Sequence, residues 1–144
     1  MEKLDKVIFY VIDKTIKTYR QFGQRRLTEA GLDITIDQWL VMNSFVANPD
    51  ISQNEIAEKV FKDSASVTRI IDLLVTKKLL KRNVHPADRR RTQLVLTQKG
   101  EELLAAAQKV VNKYRSQALK DIEDNHLDKL RNTLQNIIDN CNNA

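Results

Sequence analysis

Three consecutive arginines, Arg89, Arg90 and Arg91, preceded by Asp88, are the densest group of chemically committed side chains in the sequence. A carboxylate two residues from a guanidinium can orient it by a charge-assisted bond, and oriented guanidiniums on a loop suit phosphate or the narrow, negative minor groove of DNA. A solvated charge run is the bland alternative for such residues. From Lys59 to Lys99 there are 11 Lys or Arg against 3 Asp or Glu, a local charge of +8 in a chain that totals +5. The rest therefore carries about −3, and the basic charge sits in one module. Other chemistry has no residues to stand on. His85 and His126 are the only histidines and share no metal-ligand spacing with a carboxylate or with Cys141, so neither a metal nor a cofactor is expected. Without a glycine-rich phosphate loop, an HExxH or a nucleophile elbow, no enzyme is expected either.

The elements around the arginines place them on a hairpin. Leu80 to Val84 and Thr92 to Leu96 read as strands joined by the loop His85 to Arg91. Before them Val67, Ile70, Ile71 and Leu74 recur at helical spacing, with Asp63 or Ser64 as the cap, leaving Ala65, Arg69, Asp72 and Thr76 opposite and Ser66 and Thr68 on the flanks. An outward face that begins small and polar can enter a major groove about 12 Å wide. Ser64, Ala65, Ser66, Thr68 and Arg69 are therefore the expected groove residues, with Arg69 as the base reader and with phosphate drawn to the free amides of the helix N-terminus. Asp88, Arg89, Arg90 and Arg91 are the expected wing contacts, Arg90 in the minor groove with its guanidinium held by Asp88.

Two start signals precede that helix. Thr35 stands three residues before Gln38, with Ile34 placed to staple onto Trp39, and Ser52 stands three before Glu55, with Ile51 placed to staple onto Ile56. Between them Asn48-Pro49-Asp50 ends a helix whose apolar set reads Ile36, Trp39, Leu40, Phe45 and Val46. Upstream, two adjoining apolar stripes run from Leu4 to Phe22 and include Leu4, Ile8 and Val11, with Gly23 and Gly31 bracketing the end. Downstream, Thr97 is placed to cap a long helical region, in which Leu127, Leu130, Leu134, Ile137 and Cys141 repeat at spacings of 3 and 4. The longest apolar run, Val7 to Ile12, is too short for a membrane span or signal segment, and a single cysteine permits no intrachain disulfide, so a soluble, cytoplasmic chain is expected. The whole reads as mainly α with a small β-wing: a winged helix-turn-helix over about residues 34–100, with helical regions at 1–30 and 101–144, in one domain of 1–144.

Asp88-Arg89-Arg90, a spacer, Leu94-Val95-Leu96-Thr97 and Lys99-Gly100 resemble the wing and exit of the MarR family of transcriptional regulators. Thr35 to Leu40 (TIDQWL) resembles that family's second helix, and Ser64 to Leu80 its recognition helix running into the wing. Lys78 or Leu79 stands where the family usually has glycine before the first wing strand. The resemblance implies a homodimer whose first and last helices interleave through Leu4, Ile8, Val11, Leu127, Leu130, Leu134 and Ile137. It implies a sequence-specific double-stranded-DNA-binding regulator, a repressor on a pseudo-palindromic operator, and a small aromatic or anionic effector bound where the dimerisation helices meet the DNA-binding lobe. Tyr10, Tyr19, Trp39 and Phe45 are candidates to line that pocket, although aromatics at helical spacing are more often plain core. Family members that sense oxidation mostly carry cysteine in the first helix; here that helix has none, and Cys141 reads as a small hydrophobe. The alternative from another class is a winged-helix module that binds protein without specific DNA binding.

Overall fold

The stripes at the start of the chain form a helix longer than their spacing suggests. In the computed structural model, which describes residues Met1–Ala144, a short 3-10 turn (Leu4–Lys6) leads into α1 (Ile8–Glu29). Gly23 lies inside α1 rather than at its end, because a side chain from farther along the chain needs the space. A Cβ on Gly23 would stand 2.8 Å from Cζ of Tyr114, whose ring packs against those of Tyr19 and Phe22 at 5.5 and 6.0 Å between centroids. Gly31, at φ 76°, ends the helix, and the bond from Leu32 N to Leu27 O at 3.1 Å closes its last turn.

Five further helices and the wing follow: α2 (Ile36–Ala47), α3 (Gln53–Val60), α4 (Ser64–Thr76), β1 (Leu80–Val84), β2 (Thr92–Leu96), α5 (Gln98–Ala118) and α6 (Asp124–Asn142). The chain divides into two compact units, Met1–Tyr114 and Arg115–Ala144. No helix is long and apolar enough to cross a membrane.

In the first unit, α2 starts with the expected reciprocal box: Gln38 N donates to Thr35 Oγ1 and Thr35 N to Gln38 Oε1, both at 3.1 Å. Gln24 of α1 clamps the same helix start, accepting from Ile36 N at 3.1 Å and donating to Ile34 O at 3.2 Å. The buried face of α2 is Gln38, Val41, Met42, Ser44 and Phe45, not the set expected from spacing. Val46 is exposed, and Ile36, Trp39 and Leu40 are half-buried. A helix that is apolar nearly all round carries no face signal of its own, so its neighbours decide which side they cover. At α3 the second box is half formed: Ser52 Oγ accepts from Glu55 N at 3.2 Å, but Glu55 takes the Ser52 hydroxyl instead of its amide.

Leu27, Val41, Met42, Ile56, Val67 and Leu74 centre the core, which Leu79 and Leu80 close from the wing root and Leu104 and Ala107 from α5. The two strands have the expected bounds and pair antiparallel from Leu80 opposite Leu96 to Val84 opposite Thr92. Thr97 joins wing and helices. Its hydroxyl donates to Lys78 O at 2.6 Å and accepts from Gly100 N at 3.0 Å, capping α5 while holding the end of α4.

In the second unit α6 buries no residue. Leu127, Leu134 and Ile137 are half-buried, and Leu130 and Cys141 are exposed.

Candidate nucleic-acid interface

The recognition-helix candidate is held by its own polar residues. Asp63, not Ser64, is the N-cap of α4: its carboxylate accepts from Ser66 N at 2.7 Å and from Ser66 Oγ at 3.1 Å. Those two bonds, and then the Arg69 guanidinium, hold the Asp63 carboxyl below the usual carboxylate range. This changes the electrostatics expected there. The amide meant for a phosphate already has an acceptor, and a carboxylate occupies the positive end of the helix dipole.

The hydroxyls are committed as donors as well. Ser64 Oγ donates to Asn54 Oδ1 at 2.8 Å, and Thr68 Oγ1 donates back to Ser64 O at 2.9 Å while Gln53 Nε2 donates to it. Gln53 and Asn54, at the start of α3, thus fix the angle at which α4 stands, and sequence reading missed both. Their signal was only that two polar amides follow the Ser52 cap. Ala65 is exposed with no bond, and Arg69 spends one donor on Ser66 Oγ at 3.2 Å, so these two are the expected groove residues left free to meet a ligand.

On the wing, Asp88 accepts from Arg90 N at 3.0 Å, whereas the Arg90 guanidinium Nε lies 3.7 Å away with its side chain 94% exposed. The carboxylate therefore shapes the turn and does not clamp the guanidinium. Arg91 N donates to Asp88 O, and His85 N to Arg91 O, both at 3.0 Å, closing the loop. Arg89, Arg90 and Arg91 all stand exposed. Elsewhere in the module ion pairs take up Lys62 with Asp37, Lys77 with Asp33 and Arg82 with Asp72, at 3.2, 3.3 and 2.6 Å. Of the module's cations that leaves Arg69, Arg89 and Arg91, with Lys59, Lys78, Lys81 and Lys99, outside any ion pair, and Arg90 only loosely paired with Asp88.

Residues 30–91, which hold the helix pair, the recognition helix and most of the wing, match the model of the MarR family. The chain belongs to the MarR family. Among solved structures, a protein of unknown function from Listeria innocua is 32% identical, with 92% of this chain and 91% of that one covered and a TM-score of 0.71. The transcriptional repressor CouR, known from Rhodococcus jostii RHA1, bound to a 23-mer DNA duplex is 25% identical over 96% of both chains, with a TM-score of 0.81. A cysteine-to-serine mutant of MarR from E. coli complexed with operator DNA is 23% identical, covers 88% of this chain and 90% of that one, and has a TM-score of 0.77.

This MarR-family winged helix carries a latch that spacing could not show. Asp50 Oδ1 accepts from His85 Nε2 at 3.2 Å and from Gln93 Nε2 at 3.1 Å, tying both strands' ends at the wing tip to the loop before α3. His85 Nδ1 accepts from Ala87 N at 3.0 Å, which leaves Nε2 as the nitrogen that faces Asp50. A cavity of about 250 Å³ lies beside the latch, lined by Phe45, Asp50, Arg82, His85 and Arg91 among others. Of the four aromatics expected to share a pocket, only Phe45 reaches this one. Tyr10 is exposed, Tyr19 packs on Tyr114, and the Trp39 indole N–H is buried without an acceptor.

Proposed function

We propose that this chain is a cytoplasmic, homodimeric, sequence-specific double-stranded-DNA-binding repressor that acts on a pseudo-palindromic operator. The observation that carries the reading is the exposure, on one winged helix, of Ala65 and Arg69 on α4 and of Arg89, Arg90 and Arg91 at the wing tip, all unencumbered by internal ion pairs apart from the loose one at Arg90. A groove-reading helix flanked by a basic hairpin matches the two grooves of a duplex. The DNA-bound state of CouR and of E. coli MarR, at similar folds, supports the same reading.

Dimerisation is supported by apolar faces that the single chain leaves open. Leu4, Ile8, Phe9 and Ile16 of the N-terminal region are 63, 57, 60 and 52% exposed, and in α6 Leu130 and Ile138 are 52 and 50% exposed. Apolar stripes of this kind call for a cover, and a second copy supplies two winged helices for two half-sites. A small aromatic or anionic effector completes the proposal, favoured by the buried, unpartnered N–H of Trp39. Trp39 is the only tryptophan, so its fluorescence reports such a ligand directly.

Selection of bound duplexes from a random pool, followed by mobility shifts at two salt concentrations, tests the function. A palindromic consensus retained at the higher salt is the expected result. Uniform, salt-labile retention of every duplex would leave the winged helix as a protein-interaction module.

A further inference from the structure

The backbone is left-handed at three residues other than glycine: Phe61 at φ 58°, Lys78 at φ 61° and Asp121 at φ 63°. At the first two a reversed bond closes the preceding helix, Lys62 N to Ala57 O at 3.0 Å and Leu79 N to Leu74 O at 2.9 Å. Glycine adopts this conformation without strain, whereas a bulky side chain does not. Lys78 and Asp121 at least present charged groups to water. Phe61 has a strained backbone and a ring that is 93% exposed.

Nothing in the fold gains from this ring. It lies outside the core cluster and pairs with no other aromatic. Its chain neighbours Val60 and Lys62 are turned to other tasks, burial in the core and an ion pair with Asp37. Its position is specific, however. Ser64, the first residue of α4, follows three residues later, and three residues of chain span at most about 11 Å. Phe61 therefore stands on the turn that leads directly into the N-terminus of α4.

We propose that Phe61 is a DNA-contacting residue whose ring seats against an apolar edge of the duplex, a thymine methyl or a deoxyribose face, at the rim of the groove that α4 enters. The proposal rests on the DNA-binding reading above. It accounts for the cost of the strained backbone by a gain realised only in the complex. Because the contact is apolar, it contributes affinity without counterion release.

The test uses the full-length protein and the duplex it selects. Phe61→Gly relieves the backbone strain and removes the ring, so the thermal midpoint should stay level or rise while operator affinity falls roughly 5- to 100-fold, the range set by one mismatched base pair, at an unchanged salt slope. Opposite movements of stability and affinity are what a purely structural residue cannot produce. Phe61→Asn, which tolerates the left-handed backbone, should weaken binding similarly. Replacing single thymines by uracil then separates the two edges. If a methyl is touched, wild type loses affinity at one position per half-site and Phe61→Gly is insensitive there; a deoxyribose contact leaves both proteins indifferent to uracil. Wild-type affinity in Phe61→Gly and Phe61→Asn would overturn the contact while leaving the DNA-binding reading intact. Failure of the wild type to select any duplex would refute that reading and the contact with it.

Discussion

Gly100→Ala makes the sharpest test of how the wing is joined to the helices, because two effects of opposite sign compete at that residue. Gly100 is in the first turn of α5, where alanine is favoured over glycine by roughly 0.8–1 kcal/mol on helix propensity. Against that gain stands the Leu79 carbonyl oxygen, which a Cβ at residue 100 would approach to 2.2 Å, with Leu96 Cδ2 at 3.3 Å. The backbone must give by about an ångström. The same oxygen accepts from Thr97 N at 3.0 Å, so its displacement strains that hydrogen bond at about 0.5–1.5 kcal/mol. Overpacking adds about 1–3 kcal/mol. The clash outweighs the propensity, and the variant should be destabilised by about 0.5–4 kcal/mol, lowering the thermal midpoint by roughly 1 to 12 °C. Calorimetry or denaturant unfolding reads this directly. A midpoint equal to or above that of the wild type would show that α5 does not approach Leu79 as described and would refute the reasoning.

Other residues give predictions of different kinds. Lys78→Gly should raise stability by about 1 kcal/mol, since it removes a left-handed lysine from the helix end; an unchanged unfolding midpoint would count against that backbone. Arg90→Ala should weaken operator binding and reduce the slope of log K against log salt by roughly 0.9 for each phosphate it ceases to neutralise, whereas unaltered affinity and slope would remove Arg90 from the interface. The Asp63 carboxyl is depressed in the folded chain, so its capping contribution is complete above the ordinary carboxylate pKa of about 3.9 and is lost as pH falls through its lower folded value. Hydrogen exchange at the Ser66 amide should quicken in that acid range. Asp63→Asn, which keeps a cap but not the charge, should hold DNA at least as tightly as wild type at neutral pH; markedly weaker binding would contradict the repulsive role assigned to the carboxylate.

Features set by local chemistry were legible in the sequence, and those set by long-range packing were not. The reciprocal box at Thr35 and Gln38, the stop at Asn48-Pro49 and the β-type runs that pair as β1 and β2 all depend on neighbours a few residues away. The wing's bounds followed from these, while the family was legible only as a resemblance carried by Asp88-Arg89-Arg90 and Leu94-Val95-Leu96-Thr97. The buried side of α2 was misread because an all-round apolar helix leaves that choice to its partners. Gly23 looked like a helix end because the reason for it, the Tyr114 ring, lies 91 positions on. Asp50 could not be connected to His85 and Gln93 by spacing, since 35 and 43 residues separate them. At the candidate interface the residue types were legible, but their duties were divided differently. Ser64, Ser66 and Thr68 hold α4 in place through Asp63, Gln53 and Asn54, leaving Ala65, Arg69 and the wing arginines exposed.

The central claim is that two copies of this chain bind one operator duplex through paired winged helices. Light scattering of the protein, alone and mixed with a duplex selected from a random pool, measures this directly at micromolar concentration. Two chains should be found free, and two chains per duplex in the complex, with half-site centres one helical turn apart, roughly 34–36 Å. Leu134→Asp, which puts a carboxylate into the apolar seam of α6, should abolish both states together. A monomer that binds a palindromic duplex tightly and alone would contradict the account.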